Sequence, residues 1–201
     1  MFRWSCSINP VSVMKLSRKE KCLLTSLAMD RLRKCLVHGW KADRGPDPIP
    51  ESLESPGGVF VSLYAEDKLR GCIGTFSSQQ PLYLGVQQMT EAAATTDSRF
   101  PPLEKAELEG IRIEISVLTP RVRISGPGEI EIGRHGIYME KGSRKGTLLP
   151  QVAVSQGWDT EQFLGNCAMH KAGIGYDGWK DADLYTYEAL IFNSVDFPPE
   201  R

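Results

Sequence analysis

"GVFVSLYAEDKLRGCIGTF", residues 58–76, decides the fold. Val59, Val61 and Leu63 alternate with Phe60, Ser62 and Tyr64, the period of a strand. Ala65-Glu66-Asp67-Lys68 reads as a turn, and "LRGCIGTF" (69–76) alternates again. Two short strands across a tight turn predict a hairpin, and with it antiparallel pairing.

Outward from the hairpin, helices and strands alternate irregularly. Ser17-Arg18-Lys19-Glu20 has the form of a capping box, and Leu24, Leu27, Ala28, Leu32 and Cys35 follow at helical spacing, predicting a helix over 18–37. The four prolines of 38–57 predict a long loop. Residues 81–96 favour a helix that "DSRFPP" ends. "GIRIEISVLTP" (110–120) is the clearest strand, with Ile111, Ile113, Ile115 and Val117 on one face and Arg112, Glu114 and Ser116 on the other. Glycines then punctuate short strands around "GIYMEKG". Pro150 suits the first turn of a short helix ending near Gly157, and Asp159-Thr160-Glu161-Gln162 opens another over 160–171. Residues 181–193 supply a last strand. The pattern is α+β with a mostly antiparallel sheet and flanking helices, not a regular βαβ array.

Composition narrows the function classes. The chain has 201 residues and a formal net charge of −1, so no basic excess points to direct nucleic-acid binding. No apolar run approaches the roughly 20 residues that span a bilayer. Residues 1–14 read as an extension ahead of a single domain over 15–195, with 196–201 a tail. Five cysteines, an odd number without a CxxC pair, favour reduced thiols in a cytoplasm over a disulfide framework.

The chemistry concentrates at Cys72. By strict alternation Leu69, Gly71 and Ile73 face the core, while Arg70, Cys72 and Gly74 face the other way. A guanidinium beside a thiol favours the thiolate, which is the nucleophile. Gly74 then leaves space for another molecule to approach. The bland alternative is a packed cysteine between glycines that mark a bulge. Cys167 and His170 share one side of a helix but make no zinc site by themselves, and no other metal or cofactor motif is present. His38 reads as a surface histidine, and His135, at a turn, as a solvated histidine or an acid–base residue. Asp97 and Arg99 read as an ion pair closing a helix, or as part of a cleft.

Leu69-Arg70-Gly71-Cys72-Ile73-Gly74 resembles the signature hexapeptide of the AMMECR-one domain family. "DSRFPPL" (97–103), "IEISVLTP" (113–120), "GTLLPQVAVSQGWD" (146–159) and "KAGI" (171–174) resemble the family's later blocks, in the same order. The resemblance implies an α+β fold with a larger lobe containing both termini and a smaller lobe. It implies a candidate cleft near the hexapeptide, and an activity that is not settled. It further implies association with a Memo-like protein and a radical S-adenosylmethionine protein. Two functions follow. One is an enzyme or substrate-handling component using Cys72 and Arg70, with Arg99 or His135 completing the site. The other is a non-catalytic interaction module. An accessible Cys72 in a polar cleft favours the first; a dry, filled surrounding favours the second.

Overall fold

The computed structural model describes residues 15–37, 49–76 and 79–199. The expectations for residues 1–14, for His38 and for most of the proline-rich loop lie outside the described residues.

Helix α1 (Arg18–Leu36) opens with the expected capping box: Ser17 accepts from the Glu20 N–H, and Glu20 returns to the Ser17 N–H. A single helical turn, α2 (Glu51–Glu54), follows the loop. Strands β1 (Gly58–Ala65) and β2 (Lys68–Thr75) form the hairpin. Its two connecting residues, Glu66 and Asp67, both have positive φ (48° and 62°), the backbone that matches the twist of a two-residue hairpin. Helix α3 (Leu82–Thr95) and a 3₁₀ turn (Lys105–Gly110) lead to β3 (Ile111–Leu118) and β4 (Val122–Ile124). Then come β5 (His135–Lys141), β6 (Arg144–Leu148), α4 (Pro150–Gln156) and α5 (Thr160–Cys167). A π-helical turn (Ala168–Ala172) and the long strand β7 (Asp183–Asn193) complete the chain.

All strand pairs are antiparallel, in the order β2-β1-β3-β7-β5-β6, with β4 also on β7. Strand β7 joins two halves of the sheet. Its end (189–193) pairs with β3, and its start (183–188) pairs with β5. The apolar interior divides in the same way. One cluster gathers α1, α3 and the Val59/Val61/Leu63 and Ile111–Val117 faces of β1 and β3. Near the two ends of the described chain, Leu16 belongs to it and Phe197 packs against it. A second cluster gathers Ile137, Met139, Phe163, Leu164 and Cys167 from β5 and α5. Leu118, Tyr138 and Tyr187 form a small third cluster against Phe60 and Phe76. The fold is α+β.

The hairpin register departs from strict alternation. Leu63 pairs with Gly71 but Tyr64 pairs with Leu69, so Arg70 is an extra residue in a β-bulge. One extra residue reverses the faces on its far side. Leu69, expected in the core, therefore shares the face of Tyr64 and is 39% exposed. Arg70, expected beside Cys72, is redirected. Its guanidinium meets the Glu107 carboxylate in two hydrogen bonds (2.7 and 3.0 Å) and the carbonyls of Pro101 and Pro102.

Candidate functional site

The face of the sheet opposite α1 and α3 carries Phe60, Ser62, Tyr64, Cys72 and Glu114 (the alternate positions of β1, β2 and β3). Together with β6, α4 and the π turn, these residues line a cavity of about 880 Å³. The register aligns Cys72, Ser62 and Glu114 side by side across three strands. The Ser62 hydroxyl donates to the Cys72 sulfur at 3.3 Å. Burial pushes the Glu114 carboxyl up, and Arg112 opposes it. Burial, then the charge of Glu114, pushes the neighbouring Tyr64 phenol up. The Arg112 guanidinium stacks 4.3 Å from the Tyr64 ring centre.

Cys72 is half-buried, and its backbone is held from outside the sheet. Strand β2 is an edge. In place of a further strand, Asp97 accepts the Cys72 N–H at 2.8 Å, and Arg99 donates to the Cys72 carbonyl at 2.9 Å. Asp97 and Arg99 are themselves paired, at 2.9 Å through Nε and 2.6 Å through Nη2. The Arg99 guanidinium holds the buried Asp97 carboxyl well below the usual carboxylate range, and the Cys72 N–H assists. The turn "DSR", which directly follows the α3 C-cap Thr96, thus both holds its own ion pair and lines the cavity.

The arginine at Cys72 is therefore Arg99, brought from outside the hexapeptide, and not Arg70. His135 is not brought to the cavity. It opens β5, where its Nδ1 accepts from the Glu131 N–H at 3.1 Å. Gly74 does not clear space for a ligand: a Cβ there would fall 2.2 Å from the Phe60 ring, so that ring already fills the gap. Gly71 similarly admits the α3 backbone, with the Ala93 carbonyl oxygen 2.2 Å from where its Cβ would stand. Cys167 is fully buried in the second cluster, with its thiol pushed up to about 12 by desolvation, while His170 is exposed. Among the described residues no group of three or more His, Cys, Asp or Glu side chains is placed to hold a metal ion.

Sequence reading missed Lys145, Thr147, Gln151 and Lys171, which line the cavity from β6, α4 and the π turn. The family-like blocks "GTLLPQ" and "KAGI" were the available signal, since both converge here from distant parts of the chain.

An all-antiparallel α+β fold with a cavity on one face of its sheet, beside Cys72, defines the class. The chain belongs to the AMMECR1 family, whose profile matches residues 25–192. It is 41% identical over 195 residues to protein MK0488 of Methanopyrus kandleri, covering 90% of this chain and 92% of that one. It is 42% identical over 159 residues to a protein of Thermococcus onnurineus, covering 73% and 77%. The crystal structure of the uncharacterized protein PH0010 from Pyrococcus horikoshii superposes with a TM-score of 0.81 at 36% identity, covering 89% of this chain and 93% of that one. Among the described residues no helix is long and apolar enough to cross a membrane.

Proposed function

We propose that the protein acts through Cys72, as an enzyme or substrate-handling component of a modification or redox pathway in a reducing cytoplasm. The observation that carries this reading is the thiol's place on a cavity of about 880 Å³ rather than in a filled interior. Two donors meet it, the Ser62 hydroxyl at the sulfur and Arg99 at the carbonyl, while Asp97 accepts its backbone N–H. Donors in that position can hold negative charge on the sulfur, or charge passed from it to a bound substrate. Cys72 is the nucleophile or anchor, Ser62 and Arg99 orient it, and Asp97 fixes Arg99. Arg70 supports the site indirectly, by tying the bulge to the Pro101–Glu107 segment. We read the two apolar clusters as a larger and a smaller lobe of one domain, with this cavity at their boundary. Memo-like and radical S-adenosylmethionine proteins are the partners that the family suggests. An interaction module would need no such open space around the thiol.

Native labelling tests the reading, in a Cys6→Ser background because Cys6 lies outside the described residues. Iodoacetamide at neutral pH, with the modified peptide located by mass spectrometry, is expected to mark Cys72 first. Cys22 and Cys167 are buried, and burial pushes the Cys35 thiol up. Labelling at Cys72 no faster than at Cys22 or Cys167 would remove the thiol from the mechanism.

A further inference from the structure

We infer that the ligand this cavity presents to Cys72 is a small organic anion, held by Lys171 and Lys145. The inference rests on the reading of Cys72 as the working thiol, and it names the substrate class for that site.

The charge inventory of the cavity carries it. Its walls include two acids, Asp97 and Glu114, and three bases, Arg99, Lys145 and Lys171. Asp97 and Arg99 cancel in their own ion pair. Glu114 has its own counter-charge in Arg112, 3.7 Å away. Lys171 makes no ion pair with a described residue. Lys145 has only Glu140, at 3.9 Å, and the Glu140 oxygens already accept from the Tyr138 and Tyr185 hydroxyls. The uncompensated charge is therefore positive. It lies on β6 and the π turn, whereas the thiol lies on β2. A ligand bridging the two sides would place its negative end at the lysines and its reacting atom at the sulfur.

A second observation concerns the same wall. Gln151 Oε1 is buried at the cavity and accepts no hydrogen bond within the described residues. An orphan acceptor calls for a donor, so the anion also offers an N–H or O–H group. Thr147, beside the lysines, already spends its hydroxyl on the Ile137 carbonyl and the Tyr187 hydroxyl, which leaves Gln151 as the neutral contact.

Two alkylating agents of nearly the same size, one anionic and one neutral, test this. The measured quantity is the iodoacetate-to-iodoacetamide rate ratio at Cys72, divided by the same ratio for free cysteine. Two exposed lysines within reach of the anion should raise it about threefold or more at low salt. Lys171→Gln and Lys145→Gln should each lower it, the pair should return it close to the free-cysteine value, and high salt should do the same. Any effect of the substitutions on the thiol itself enters both rates and cancels in the ratio. A wild-type ratio equal to that of free cysteine, or one indifferent to both substitutions, overturns the anion site.

A binding measurement keeps the outcome separate from thiol reactivity. In Cys72→Ser, titration with malonate followed by amide NMR should shift Thr147 and Lys171 signals, and Lys171→Gln should abolish those shifts. If both reagents label Cys72 slowly but malonate binds there, the reactive-thiol reading falls and the anion site stands. If malonate moves no cavity amide, the anion site falls.

Discussion

Asp97 reaches across from the end of α3 to accept the backbone N–H of Cys72 at 2.8 Å, in the place where a neighbouring strand would pair. An edge strand without such a partner is open to other chains. The contact is charged, because Arg99 completes it from the same turn. Asp97→Asn should destabilise the fold by about 1–3 kcal/mol, since it weakens a charge-assisted bond to a half-exposed guanidinium. The pH dependence has a definite sign. The folded-state pKa of Asp97 is depressed, so its stabilisation is complete above the unfolded value of about 3.9 and is lost as pH falls toward the folded value. Urea midpoints from pH 6 to pH 2.5 should fall more steeply for wild type than for Asp97→Asn. Parallel curves would mean that the carboxylate is not the source.

The two glycines around Cys72 should respond unequally to alanine. Gly71→Ala drives a methyl into the Ala93 carbonyl, which is backbone in the last turn of α3 and cannot rotate away as a side chain can. Gly74→Ala meets only the Phe60 ring, a side chain at the cavity wall. The first should cost at least the roughly 1–3 kcal/mol of an overpacked core, and the second less. Thermal unfolding of both variants decides it. Equal losses would show that the Phe60 ring is as immovable as the helix.

The contrast at these glycines shows what was legible in the sequence. Alternation in β1 and β3 was readable because Val59, Val61, Leu63 and Ile111, Ile113, Ile115 each repeat without interruption. The capping boxes at Ser17 and Asp159 were readable because their bonds span only three residues. The bulge at Arg70 was not. It exists because Glu107 and the Pro101–Pro102 carbonyls, more than thirty residues away, capture the guanidinium. Once Arg70 turned away, the choice of Arg99 over Arg70 at Cys72 depended on tertiary contacts alone. The lysine wall is hidden for the same reason: Lys145 and Lys171 share a cavity with Cys72 only through the pairing of β7 with both halves of the sheet.

Glu114 should carry an opposite pH signature to Asp97. Burial raises its folded-state pKa, so the unfolded chain ionises first as pH rises. Stability contributed below the unfolded value of about 4.3 is therefore lost as pH climbs through the folded value. Glu114→Gln keeps the shape and removes the ionisation. The wild-type advantage over this variant should shrink between pH 4 and pH 7 in chemical denaturation. An advantage that stays constant would mean that folding leaves the carboxyl unshifted, and one that grows with pH would place a stabilised carboxylate at this position instead.

Cys72→Ser should alter chemistry far more than stability. A hydroxyl buried without a partner costs about 1–3 kcal/mol. At this position the hydroxyl is not stranded, because the Ser62 hydroxyl already lies 3.3 Å from the sulfur and the cavity runs alongside. The Asp97 and Arg99 contacts go to the Cys72 backbone and survive the substitution. The expected cost is below about 1 kcal/mol, within the range of a conservative change at a partly exposed site. Labelling at residue 72 disappears entirely, because serine's hydroxyl does not ionise near neutral pH. The two measurements together are diagnostic. A small midpoint shift with fast wild-type labelling matches a thiol that works on the cavity, whereas a midpoint loss of several degrees with slow labelling would make Cys72 a packing residue and return the hexapeptide to a purely structural role.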